Sequence, residues 1–173
     1  MGAVSYVIRN FGPADATAVN AVALSAFAEY HRAYSDWGDF ARTVGDMALL
    51  AETGKLIVAT VGRDVVGAVA YVGPGRPKRE FFDPEWPILR MLVTEPACRG
   101  RGIGRALTQA CIELARRDGA PLIALHTSPI MHVALTLYER MGFVREREAP
   151  AILGVPYGVY VRRFPTYVRA AGE

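Results

Sequence analysis

The chain has 173 residues, 51% of them hydrophobic and 21% charged, with a net charge of +3 and a pI of about 9.0. This suffices for one domain with a real core, and no run approaches the roughly 18 uninterrupted apolar residues of a membrane-spanning helix. The basic residues form no long stripe interleaved with aromatics, which argues against a nucleic-acid partner, and the two cysteines, Cys98 and Cys111, are too few for a disulfide framework or metal site.

Met1 to Asn10 lacks a basic start followed by an apolar block, so no secretory signal is expected, and reduced cysteines fit a cytoplasmic protein. Val4 to Arg9 alternates weakly and reads as a first strand. Pro13 and Asp15 suit a helix start, after which Val19, Val22, Ala23, Ala26, Phe27 and Tyr30 recur at helical spacing. Trp37-Gly38 reads as an interruption before a shorter helix carrying Phe40, Val44, Met47 and Ala48. Leu56 to Val61 and Val65 to Val72 are β-rich runs joined through Gly62-Arg63-Asp64, a hairpin pattern.

Gly73 to Pro87 is a Pro/Gly-rich loop, and Ile88 to Thr94 is a strand that Pro96 ends. From Gly102 the period becomes helical, with Ile103, Leu107, Ala110, Cys111 and Leu114 on one face until Gly119-Ala120-Pro121. Leu122 to His126 is a short strand, and Met131 to Met141 is a helix closed by Gly142. Phe143 to Glu148 and Tyr157 to Arg163 read as two strands around a Gly/Pro loop. This order predicts a single α/β domain over residues 1–173, core 4–163, with a mixed sheet of about seven strands flanked by about four helices. The strand-helix-strand unit from Ile88 to His126 is expected to be parallel and right-handed.

The informative segment is Arg99-Gly100-Arg101-Gly102-Ile103-Gly104-Arg105, which follows a strand and opens a helix. Free N–H groups at a helix start, with the positive end of its dipole, form an anion site. Glycines let a diphosphate approach the backbone, and arginines add charge-assisted hydrogen bonds. The segment lacks the Lys-Ser/Thr ending of a nucleotide P-loop. It also lies in the second half of the chain, whereas a dinucleotide fold carries its glycines after the first strand. A plain tight turn with solvent-facing arginines is the other reading of these residues alone.

The same segment resembles the acyl-CoA signature of the GNAT acetyltransferases, Arg/Gln-x-x-Gly-x-Gly/Ala, with Arg99, Gly102 and Gly104 at its defining positions. Met91 to Pro96 looks like that family's fourth strand. Leu137-Tyr138-Glu139-Arg140-Met141-Gly142-Phe143 is similar to its Leu-Tyr-Glu-Lys-x-Gly-Phe signature. The resemblance implies acetyl-CoA as cosubstrate and N-acetyl transfer as activity. It implies fourth and fifth strands that splay, with a β-bulge in the fourth. The backbone of Leu92, Val93 and Thr94 would hold the pantetheine arm, and residues Arg99, Gly100, Arg101, Gly102, Ile103, Gly104 and Arg105 the pyrophosphate. Val93 N–H would donate to the thioester oxyanion, and Tyr138 would protonate the leaving thiolate. Met131 stands where many members have an Asn that touches the CoA arm, so that polar contact is missing.

The acceptor side is less defined. Many relatives carry a glutamate early in the fourth strand, where this chain has Pro87 and Ile88, so Glu85 becomes the candidate base, with water relay as the alternative. Tyr30, Phe81, Phe82, Trp86 and His126 are candidates for the acceptor pocket, with Tyr34 and Trp37 from the same helical lip; core packing is the competing reading. No metal-ligand spacing occurs, so no metal is expected. The acceptor is expected to be a small-molecule amine, because no acidic or basic run marks a peptide groove. A protein amine and a non-catalytic acyl-CoA-binding module are the alternatives, and a homodimer contact through the aromatic region is also reasonable.

Overall fold

The computed structural model describes residues 5–166, so Val4, the expected start of the first strand, lies outside them. Strand β1 (Val7–Asn10) leads through a 3-10 turn at Pro13–Asp15 into helix α1 (Ala16–Phe27), and helix α2 (Trp37–Gly45) follows. After a 3-10 stretch at Met47–Glu52 come β2 (Lys55–Val61), β3 (Asp64–Val72) and β4 (Ile88–Thr94). Helix α3 (Ile103–Arg117), strand β5 (Leu122–Thr127), helix α4 (His132–Arg140) and strands β6 (Val144–Ile152) and β7 (Val155–Arg163) complete the described chain. The sheet order is β1-β2-β3-β4-β5-β7-β6, with β4 and β5 parallel and the other neighbours antiparallel.

The sheet separates two cores. Helix α3 turns Ile103, Leu107, Cys111, Ile112 and Ala115 onto Ile57, Val69, Leu89, Ile123 and Leu125. On the opposite face α1 and α2 bring Val19, Val22, Ala23, Phe40 and Val44 onto Val58, Ala68, Ala70 and Val93. A smaller third cluster gathers Phe82 from the loop after β3 with Val72, Ile88, Leu122, Ala124, Val159 and Val161. Burial of these aliphatic side chains supplies the main favourable term of folding.

Two boundaries differ from the sequence expectation. Trp37 begins α2 rather than interrupting, because the Asp36 carboxylate accepts from the Asp39 N–H at 2.9 Å and caps the helix there. Strands β6 and β7 run through the expected Gly/Pro loop and turn only at Leu153-Gly154. Pro150 is tolerated because β6 is an edge strand, and Pro156 because it lies beyond the last β5 partner, Thr127–Gly158.

Candidate active site

The site begins where β4 and β5 part. They share one bridge, Ile88–Ala124, beside an Ala124 N–H donating to the Pro87 carbonyl at 3.0 Å. β4 carries a bulge. Ala68 faces Val93 and Ala70 faces Arg90, so Met91 and Leu92 together oppose Val69, and Met91 takes a φ of 56°. The extra residue bends β4 away from β5 and leaves a gap between them.

The register of that ladder corrects one expectation. Glu95 N–H donates to the Val66 carbonyl at 2.8 Å, and antiparallel partners alternate between amides facing the neighbour and amides facing away. The Val93 amide therefore turns into the sheet toward Ala68, and Val93 is 1% exposed. Leu92 and Thr94 turn theirs toward the gap, and both line a cleft of about 680 Å³. The amide that faces the gap at the place expected of Val93 is therefore that of Leu92.

The cleft runs from this gap to the start of α3. Gly100 and Gly102 take φ values of 78° and 82°, which favour residues without a Cβ, and Gly102 is the N-cap of α3 with no side-chain cap. The Ala106 N–H closes the first helical turn onto the Gly102 carbonyl. Among the described residues the N–H groups from Gly100 to Arg105 have no backbone acceptor. Gly100, Gly102, Ile103, Gly104 and Arg105 line the cleft, whereas Arg101 is exposed outside it. A Cβ at Gly104 would stand 3.3 Å from Leu137 Cδ2, so this glycine also lets α3 and α4 approach each other.

Arg99 also lines the cleft, with its side chain engaged by α1. Its guanidinium pairs with Glu29 at 2.7 Å and donates to the Ala26 carbonyl at 3.2 Å. It ties the end of α1 to the glycine turn, which brings Ala26, Phe27 and Tyr30 to the cleft wall. Besides Arg99 and Arg105, the cleft holds a third arginine, Arg140 of α4, which sequence reasoning missed although it lies in the quoted Leu137–Phe143 signature. Met131, His132, Val133, Ala134, Thr136 and Leu137 complete that wall.

Tyr138 lies one helical step from this wall, 5% exposed, with its ring edge-on to Phe143 at 5.7 Å. It continues the row Met131, Ala134, Tyr138, whose first two members line the cleft. Burial, then the neighbouring Cys111, pushes its hydroxyl above the ordinary tyrosine range, so it keeps its proton at neutral pH. Glu85 is exposed on the loop after β3 and does not line the cleft. None of the lining residues is a carboxylate.

The expected aromatic pocket divides. Tyr30 lines the cleft, while Tyr34 stacks on Phe40 with centroids 3.7 Å apart. Phe81 and Phe82 pack edge-on against His126 at 5.3 and 5.8 Å, and Tyr157 meets the same imidazole at 5.3 Å. The Tyr34 and Tyr157 hydroxyls hydrogen-bond, so the α1–α2 lip and the loop after β3 meet through Tyr157 and His126. Trp86 packs on the same cluster as Phe81 and Phe82 but lies under the Arg147 guanidinium, 5.3 Å from its ring centroid. Arg147 also holds the loop by donating to the Phe81 carbonyl.

A helix start offering a row of free amides, the arrangement that suits an anion, is joined here by a cleft to the gap between two parted parallel strands of an α/β fold. The family model described as Acetyltransferase (GNAT) family matches residues 20–143, and the chain belongs to that family. It is 35% identical over 95 residues to N-acetyltransferase 8F1 of Rattus norvegicus, a match covering 52% of this chain and 39% of the relative. The chain thus spans well under two thirds of the curated relatives it matches first. A GCN5-related N-acetyltransferase structure from Rhodopseudomonas palustris has a TM-score of 0.74 at 20% identity, covering 95% of this chain and 99% of that one. The yncA structure from Salmonella typhimurium, solved with its cofactor acetyl-CoA, has a TM-score of 0.66 at 16% identity, covering 94% and 96%. These two likenesses show the shared fold.

Proposed function

We propose that the protein is an N-acetyltransferase that moves the acetyl group of acetyl-CoA to a small-molecule amine. The observation that carries this reading is the run of unpaired amides from Gly100 to Arg105 at one end of a cleft whose other end is the β4–β5 gap. The residues present suit coenzyme A. The glycine turn, Arg105 and Arg140 meet the diphosphate, and the outward amide of Thr94 meets the amide-bearing pantetheine arm, leaving that of Leu92 for the thioester. Met131, Val133, Ala134 and Leu137 give that arm an apolar wall.

In this arrangement the thioester lies in the β4–β5 gap and the amine approaches from the face opposite α3. The amine nitrogen bonds to the carbonyl carbon, and the Leu92 N–H stabilises the oxygen as it gains charge. The carbon–sulfur bond then breaks, and the Tyr138 hydroxyl gives its proton to the departing thiolate. Water carries away the amine proton, in keeping with the absence of a carboxylate on the cleft wall. Holding both reactants in line supplies much of the rate.

Calorimetric titration with acetyl-CoA, followed by a thiol-release assay over an amine panel, tests the reading. Saturable binding and amine-dependent CoA release are expected. Binding without release from any amine points to an acyl-CoA sensor, and absence of binding overturns the reading altogether.

A further inference from the structure

The face of the sheet opposite α3 holds positive charge that the fold does not neutralise. Ile88 and Ala124 form the last β4–β5 bridge and share one cluster on this face. Strand alternation therefore places Arg90 and His126, each two residues further on, side by side on the same face where the strands part. Arg90 Nε and His126 Nδ1 are buried without a hydrogen-bond partner. No ion pair among the described residues includes Arg90 or Arg79, whose charge acts on both groups from the loop after β3. The acids of that loop, Glu80, Asp83 and Glu85, are exposed, and the last two act on Lys78.

A half-buried guanidinium without a carboxylate is costly unless something supplies the anion. Phe81, Phe82 and Tyr157 surround the imidazole and exclude water, which strengthens any charge-assisted bond formed there. Burial, then the charges of Arg79 and Arg90, lowers the His126 pKa to about 4, so its ring is neutral at neutral pH. The guanidinium of Arg90 keeps its charge.

Resting on the acetyl-transfer reading, we infer that this cluster is an oxyanion subsite: the acceptor amine bears a carboxylate or phosphonate group, held by Arg90 and Arg79 beside His126. The bound anion leaves the amine on the gap side of the cluster, toward the thioester. Such a subsite selects amino-acid-like acceptors over neutral amines of the same shape.

The test measures CoA release with matched pairs, the standard α-amino acids against their carboxamides and 2-aminoethylphosphonate against propylamine. The anionic member is expected to be preferred by about 100-fold in kcat/KM, and Arg90→Gln or the exposed Arg79→Ala to cut that preference at least about tenfold, through KM. Equal use of both members, or variants that keep the preference, overturns the subsite while leaving acetyl transfer standing. Loss of acetyl-CoA binding in the unmodified protein strikes the acetyl-transfer reading instead. If acetyl-CoA binds and no amine reacts, methylphosphonate titrated into the acetyl-CoA complex decides. Saturable binding that Arg79→Ala weakens upholds the subsite, and no binding overturns it. Retained acetyl-CoA affinity in Arg90→Gln reports that this variant is folded.

Discussion

Gly102→Glu is the sharpest probe of the diphosphate site, because stability and binding respond to it differently. Gly102 has a φ of 82°, where a side chain costs about 1–2 kcal/mol of stability. The new Cβ would meet only the Tyr6 hydroxyl, at 3.4 Å, so no core atom needs to move. A carboxylate at a helix N-terminus recovers about 0.3–1 kcal/mol, leaving the fold near its original stability. Ligand binding has no such offset. The carboxylate would stand about 4 Å from a phosphate charge, which at a near-surface dielectric costs about 4 kcal/mol for each unit charge. That corresponds to about a thousandfold loss of acetyl-CoA affinity. Gly102→Ala, which adds the strain without the charge, should lose far less. Calorimetry with thermal unfolding as control reads both quantities. A Gly102→Glu protein that binds acetyl-CoA within tenfold of the unmodified chain would refute the assignment of this helix start as the phosphate site.

Tyr138→Phe keeps the edge-on packing with Phe143 and should lower kcat by about 100-fold at nearly constant acetyl-CoA affinity, as steady-state kinetics can check. Unaltered kcat would remove Tyr138 as the acid. Gly67→Ala would place a Cβ 2.9 Å from Ile103 Cγ2 and 3.1 Å from Leu107 Cδ1, pushing α3 off β3. Chemical denaturation should show a loss of about 1–3 kcal/mol. Asp15 accepts from Arg9 at 2.7 Å and from Gly12 N–H at 2.8 Å, and these bonds depress its pKa from 3.8 to about 2. A depressed carboxylate stabilises the fold above its unfolded pKa and loses that contribution as pH falls through its folded one. Asp15→Asn should therefore lower Tm at pH 5 to 7, with the difference fading between pH 4 and 2; a Tm difference that ignores pH would count against the pair.

Several elements were legible because their signals are local. The Gly62-Arg63 turn between β-rich runs, the apolar row from Ile103 to Leu114, and the glycine turn between β4 and α3 each depend on neighbours within a few residues. The two strands of the β6–β7 hairpin were legible but their full extent was not, because whether Pro150 and Pro156 break a strand depends on which flank faces a neighbour. The direction of the Val93 amide was hidden for a related reason. Amide direction follows the ladder with β3 and the position of the bulge, and a shift of one residue reverses it.

The site divides along the same line. Residue order alone determined the α/β class, the glycine-rich helix start and the family signatures, since these rest on short-range spacing and on the φ preferences of glycine. Tertiary structure decided what meets what. It turned Arg99 to Glu29 and brought Arg140 to the cleft. It laid Arg147 over Trp86, and it set Arg90 beside His126 across a gap joining strands more than thirty positions apart along the chain. The partner that satisfies a long charged side chain is chosen by the packed sheet, because desolvation and distance, which set the energy of a charge, exist only once the chain has folded.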